Sequence, residues 1–219
     1  MNVLIDASIT YKDAFLYEKV REKAEVLFIN GVENEPYFGN KNFIFKDNLD
    51  ELLETIDLLG NCMEVQSILL VVKNVEEELI ENLVSLLGTY PRIKLKLVND
   101  AYPNGMAEVL KKKFKVKEAI VFDINEIALI YEAIKREVPV TERIITITGN
   151  AVEPKAAVKV KMGALLSEVF VTKFNFTEER VDVYLNGMMS GTLVSSLKVV
   201  IDSHIEGVLV MKRTTEEVE

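Results

Sequence analysis

The sequence is poor in the residues that anchor the most recognisable chemistries. Its 219 residues include no tryptophan, one cysteine (Cys62) and one histidine (His204). One cysteine excludes an internal disulfide, and also an iron–sulfur cluster held by this chain's thiolates alone, since the usual clusters take about four. One histidine excludes a His-rich metal site. No apolar run reaches the roughly 18 residues of a membrane-spanning helix and no secretory signal opens the chain, so the expectation is a cytoplasmic protein with no direct membrane span. Walker, GxSxG, HExxH and GxGxxG motifs are all missing. Lys+Arg of 26 against Asp+Glu of 35 gives a net charge of −9, which argues against a nucleic-acid or anionic-membrane partner. What remains is a chain 49% hydrophobic and 28% charged, long enough to bury roughly 70% of its unfolded surface as one large domain or two small ones.

Periodicity gives the organisation. Val3-Leu4-Ile5, within Met1 to Ala7, reads as a strand, and Tyr11 to Glu25 as a helix carrying Ala14, Phe15, Tyr17 and Val20. Val26 to Ile29 is a buried strand ended by the turn signal Asn30-Gly31; residues 32–47, with Gly, Pro and three Asn, read as irregular. Asn48 opens a helix with Leu49, Leu52, Leu53, Ile56 and Leu59 on one face and Gly60 as its stop. The cycle then repeats: strand Ser67 to Val72, helix Val75 to Leu87, strand Ile93 to Val98, helix Gly105 to Phe114, strand Ala119 to Phe122, helix Glu126 to Arg136. Such alternation predicts an α/β fold, a mostly parallel sheet with flanking helices. After Pro139 short strands (Arg143 to Thr148, Val158 to Val160, Val181 to Leu185, Gly207 to Met211) surround a brief helix, Gly163 to Val169, which predicts a small α+β domain. The predicted organisation is therefore an α/β domain over 1–140, a second domain over 141–213, and a polar tail over 214–219.

Several segments bear candidate chemistry. The loop Asn30 to Tyr37, NGVENEPY, follows a strand, where doubly wound sheets collect ligands. Its carboxylates, Glu33 and Glu35, can accept hydrogen bonds from ribose hydroxyls or a nicotinamide; the same spacing also suits a solvated acidic turn. Tyr102-Pro103-Asn104-Gly105 reads either as a turn presenting N–H groups at a helix N-terminus or as ordinary turn chemistry. In Asn186 to Gly191, two glycines bracket Met188-Met189, which suggests close backbone approach with the methionines packing across an interface. Lys111, Lys112, Lys113, Lys115 and Lys117 form the basic cluster, a solvated helix end or a docking patch for an acidic partner. Asp202, Ser203 and His204 are contiguous and so do not form a triad on a strand, and Cys62 reads as an ordinary free thiol. No catalytic or metal-ligating residue emerges.

Five segments, in order, carry a resemblance to the RnfC family and, more distantly, to the NADH- and flavin-binding subunit of respiratory complex I. LFINGVENEPY (Leu27 to Tyr37) is similar to "NG-x-E-C-E-P-Y", with Asn34 at the cysteine. YPNGMAEVL (Tyr102 to Leu110) is similar to "YP-x-G-x-E-x-x-L", and DINEIALIYEAI (Asp123 to Ile134) to "N-V-G-T-x-x-A-I-x-x-A". VPVTERIITITGNAV (Val138 to Val152) resembles "x-P-x-x-x-R-x-x-T-V-T-G-x-x-V", and the stretch from Asn186 to Met211 resembles "GG-P-M-M-G" and the family's residues just after it. The resemblance covers about Val26 to Met211. It implies a flavin- and nucleotide-domain core followed by a β-grasp domain of the soluble-ligand-binding (SLBB) type. It also makes Asn30, Gly31, Glu33, Glu35 and Asp123 the cofactor-binding candidates, with FMN or NADH as cofactor.

The departures are as informative. The family's glycine-rich loop corresponds to Asp6 to Glu18, which carries Tyr11, Phe15 and Tyr17, and no glycine precedes Gly31. Asp123 and Glu126 replace an Asn and a Thr near the flavin phosphate, a repulsive pair unless a cation intervenes. The family's cysteine-rich iron–sulfur module and lipoyl-like domain have no counterpart in these 219 residues. The resemblance therefore implies an accessory or scaffold subunit of an electron-transfer system, without iron–sulfur clusters and degenerate in flavin and NADH binding. Its partner would be a redox protein or reductase complex, as for proline-reductase-associated RnfC-like proteins. The alternatives are a working FMN- or NADH-binding oxidoreductase component, and a non-redox small-ligand or protein-interaction module acting through the β-grasp domain.

Overall fold

The structure is a computed structural model that describes residues 4, 9–12, 14–75, 77–116, 118–137 and 139–213. The chain divides into two units, Met1–Asn34 with Lys41–Val140, and Glu35–Asn40 with Thr141–Glu219. Of the predicted Val3-Leu4-Ile5 strand only Leu4 is described, and it is helical rather than extended; Val3, Ile5, the polar tail and Lys117 lie outside the described residues.

The first unit opens with β1 (Thr10–Tyr11), β2 (Ala14–Phe15) and α1 (Leu16–Val20), then β3 (Val26–Asn30), α2 (Asn40–Asp47) and α3 (Leu49–Cys62). It continues through β4 (Ser67–Lys73), α4 (Glu77–Leu87), β5 (Ile93–Val98), α5 (Ala107–Lys113), β6 (Ala119–Asp123) and α6 (Ile124–Arg136). Four strands form an all-parallel sheet in the order β5-β4-β3-β6. Both faces are covered over β3, β4 and β6, which is why these strands read as continuous apolar runs, while the edge strand β5 alternates lysine with apolar residues. Phe28 and Val71 share one face with Val98 and with Leu110 of α5. Leu27, Ile29 and Leu70, of opposite parity, are fully buried as well. On that second face Ile68 meets α3, and α3 in turn packs on α6. The chain leaves β3 toward β4 on one side and returns to it as β6 on the other, so the strand order reverses at β3 and β6.

Three expectations are corrected. The segment from Tyr11 to Glu25 is helical only over Leu16–Val20, because Thr10–Tyr11 and Ala14–Phe15 pair antiparallel before it. Residues 40–47 are helical rather than irregular: burial of Lys41, Ile44 and Phe45 on one stripe overrides the weak helix preference of the asparagines. Gly60 does not stop α3, which runs on to Cys62; a Cβ at Gly60 would lie 2.6 Å from Ile68 Cδ1, so the glycine serves helix–sheet contact.

The second unit holds β7 (Glu142–Gly149), β8 (Val152–Glu153), β9 (Ala156–Lys161), α7 (Leu166–Lys173), β10 (Asn175–Phe176), β11 (Val181–Leu185), β12 (Thr192–Val194) and β13 (Gly207–Lys212). Five of these strands form a mixed sheet, β12-β11-β13-β7-β9, whose β7 and β13 run parallel while every other pairing is antiparallel. Leu166, Val169 and Phe170 of α7 pack against Ile145, Ile147, Val208 and Val210 on one face. First and last strands side by side under one helix make a β-grasp arrangement. The other face meets the segment Glu35–Asn40. Gly39 N–H donates to Thr146 Oγ1 at 3.2 Å, and the Phe38 ring lies where a Cβ on Gly207 would be, Thr146 and Gly207 being register partners.

Candidate functional site

The carboxyl ends of β3 and β6 are the sequence-predicted ligand position, and side chains of the chain itself occupy them. Asn30, the last residue of β3, is buried with both ends of its amide engaged: Nδ2 donates to the Gly105 carbonyl at 2.8 Å and Oδ1 accepts from Val32 N–H at 3.0 Å. The NGVENEPY and YPNG loops, read separately in the sequence, are therefore one structure. Gly105 has to be glycine here, since a Cβ would collide with the Glu33 backbone. Gly31 donates its N–H to Val71 O at 2.8 Å.

At the centre lies Lys41, one of the largest fully buried side chains. Its ammonium donates to Val32 O at 2.8 Å, Asn34 Oδ1 at 3.4 Å and Asp123 Oδ2 at 2.5 Å. Removing an ammonium from water costs several kcal/mol, and only a close counter-ion with further hydrogen bonds offsets that. The same residue's backbone N–H donates to Glu33 Oε1 at 2.9 Å, with Asn42 N–H at 3.3 Å. Burial pushes the Glu33 carboxyl up to about 7, against the lowering pull of Lys41 and the Asn42 N–H.

Asp123 caps α6. Its Oδ1 accepts from Asn125 N–H and Nδ2, while its own N–H donates to Glu126 Oε2 at 2.6 Å, closing a capping box. Glu126 in turn takes Lys19 Nζ on both oxygens, at 2.6 and 2.7 Å, and Lys19 sits over the Phe122 ring. Burial raises the Glu126 carboxyl, and Lys19 opposes the rise. The repulsion expected of Asp123 and Glu126 is thus relieved by two cations, Lys41 and Lys19.

Glu35 belongs to the second unit. Its carboxylate accepts from Met189 N–H at 3.0 Å, Ser190 N–H at 2.8 Å and the Ser190 hydroxyl. Gly187 (φ +89) presses against it so closely that a Cβ would run into the carboxyl group. Neither Glu33 nor Glu35 is solvated, at 7% and 5% exposed, so the solvated-turn alternative does not hold. Met188 and Met189 are exposed, not packed away. Lys41 escaped the sequence reading. The signal that could have found it is its place one turn before Ile44 and Phe45, on the stripe those residues bury. Among the described residues, no group of three or more His, Cys, Asp or Glu is arranged to hold a metal, and no helix is long and apolar enough to cross a membrane.

Comparison with known proteins gives this geometry a context. The family described as "Nuo51 FMN-binding domain" matches residues 14–124. The chain is 28% identical over 187 residues to the C subunit of the ion-translocating oxidoreductase complex of Pectobacterium carotovorum subsp. carotovorum (strain PC1), covering 80% of this chain and 25% of that protein. It is 23% identical over 201 residues to the C subunit of the same complex in Rhodobacter capsulatus, covering 84% and 38%. The chain spans about a quarter of the length of the first of these relatives. Among solved structures, an NAD+-reducing [NiFe]-hydrogenase in the H2-reduced state matches with a TM-score of 0.79 at 14% identity, over 96% of this chain and 46% of that one. That likeness shows a shared fold.

A flavin phosphate does not fit the described residues at the ends of β3 and β6. Such a phosphate wants free N–H donors at a helix N-terminus. Here Asp123 and Glu126 already cap that terminus, and the adjacent ammonium is committed to Asp123.

Proposed function

The chain belongs to the Nuo51 FMN-binding domain family, and from that premise we propose that it is an RnfC-like subunit of a multi-subunit electron-transfer assembly in which the flavin site has become a structural ion network. The observation that carries this reading is the buried Lys41–Asp123 pair at 2.5 Å, set where the strand order reverses. An ammonium supplied by the chain replaces the polar head of a ligand, and the α6 N-terminus is satisfied internally. The subunit then contributes surface and scaffold, while flavin and clusters reside on partner subunits, a redox protein or reductase complex. The second unit's β-grasp arrangement supports reading it as an SLBB-type domain that holds such partners.

The test is direct. The purified protein is expected to be colourless and to give no calorimetric heat with FMN or NADH at about millimolar concentration, an affinity weaker than roughly −4 kcal/mol. Stoichiometric FMN in the visible spectrum would overturn the reading. It would favour a working flavoprotein in which Asn30, Gly31, Glu33, Glu35 and Asp123 rearrange to meet the cofactor.

A further inference from the structure

The two faces of the parallel sheet differ in charge. The helix α3, on the Ile68 face, displays Asp50, Glu51, Glu54 and Asp57. The opposite face is the one covered by α5. On β5, Val98 joins Leu110 of α5 in a shared apolar cluster. Strand side chains alternate, so Lys96 and Lys94, two and four residues before Val98, stand on that same face. Both are exposed, as are Lys112 and Lys113 at the end of α5 and Lys115 just beyond it. Lys111 is paired with Glu108 at 3.1 Å, and Lys73 with Asp100 at 3.3 Å. Lys94, Lys96, Lys112, Lys113 and Lys115 have no ion-pair partner among the described residues.

We propose that this lysine face of the first unit is a docking surface for an acidic protein partner. The sequence pattern shows only the run from Lys111 onward; the register of β5 places Lys94 and Lys96 on the same face of the sheet as α5. A net charge of −9 does not cancel it, because exposed charges are screened beyond about 8–10 Å at physiological salt and a partner in contact meets the local sign. A nucleic acid or an anionic bilayer is extended enough to reach past the lysines to the acidic parts of the surface, which disfavours it. None of these five residues is an arginine, the residue suited to bidentate phosphate contact. Unpaired lysines give a fast-forming, salt-sensitive contact suited to transient encounter. The inference is independent of whether a flavin binds.

The experiment uses the full chain and a short fluorescein-labelled peptide of alternating glutamate and serine, followed by anisotropy from about 100 mM salt upward, where the Debye length is about 10 Å or less. Wild type is expected to bind and to release the peptide as salt rises. Lys94→Glu/Lys96→Glu/Lys113→Glu is expected to weaken binding at least about ten-fold, and the corresponding glutamine triple less. The control Lys155→Glu/Lys161→Glu/Lys173→Glu, which changes total charge equally at exposed lysines of the second unit, is expected to bind within about two-fold of wild type. No binding by wild type, equal loss in both charge-reversed triples, or retained affinity in the patch triple overturns the proposal. So does tighter binding to a DNA oligonucleotide or to phosphatidylglycerol vesicles than to the peptide.

Discussion

Glu33 and Glu35 stand two residues apart in one loop, are equally buried, and are held by different parts of the chain. Glu33 accepts the backbone N–H of Lys41 and Asn42, so it closes the loop onto α2 within the first unit. Glu35 accepts Met189 N–H, Ser190 N–H and the Ser190 hydroxyl, and fastens the Asn186 to Gly191 loop within the second. Glu33 stands beside the buried Lys41, and burial still pushes its carboxyl up to about 7. One short sequence motif thus does two structural jobs. Two carboxylates in a row are no proof of a ligand that needs both.

The largest way to break the comparison is to remove the cation on Glu33's side. Lys41→Met leaves Asp123 buried and unpaired, and a broken buried pair costs about 3–5 kcal/mol. Urea unfolding is expected to show that loss, and Lys41→Met/Asp123→Asn to recover a good part of it, because the second change removes the orphaned charge. A Lys41→Met variant within about 1 kcal/mol of wild type would falsify the view of this pair as the keystone of the site.

Much of the fold was legible because it rests on repeating local signals. Apolar runs bounded by turns gave β3, β4 and β6, the alternation of lysine with apolar residues gave β5, and the change of pattern after Pro139 marked the mixed sheet. The site was legible only as addresses. Asn30, Gly105 and Asp123 each lie at a strand or helix end that local chemistry marks, but their convergence depends on the order β4-β3-β6, which no local signal encodes. Lys41 was missed because a lysine among asparagines reads as solvent-facing; its burial is set by a partner 82 positions away. The membership of Glu35–Asn40 in the second unit was invisible for the same reason, since Phe38 packs over Gly207 and Gly39 bonds to Thr146 across more than 100 residues.

The next effect sharpens the comparison through pH. Glu33 has its carboxyl raised from 4.5 to about 7. Between those values the folded state holds a proton that the unfolded state has released, so stability falls as pH rises through the window. The change amounts to roughly 3 kcal/mol in all, fully expressed above the folded value. Glu126, also raised, adds to the same slope. Glu33→Gln keeps an acceptor for the Lys41 and Asn42 N–H groups and cannot ionise. Its unfolding free energy is expected to vary distinctly less between pH 5 and pH 7 than that of wild type, and an unchanged slope would remove Glu33 as the titrating group.

The smallest effect probes the other carboxylate. Glu35→Gln retains one acceptor oxygen but loses the charge that strengthens three hydrogen bonds, for an expected cost of about 1–2 kcal/mol. Its signature is local: amide hydrogen exchange should speed up at Met189 and Ser190, whose N–H groups Glu35 receives, and stay unchanged at Lys41 and Asn42. Glu33→Gln should leave Met189 and Ser190 protected. If either substitution loosens both pairs of amides together, the two carboxylates act as one site, and the reading of the loop as two independent fastenings is wrong. If the effects separate, each carboxylate is committed to its own unit. A ligand contacting both would then have to break two sets of bonds that the fold already uses.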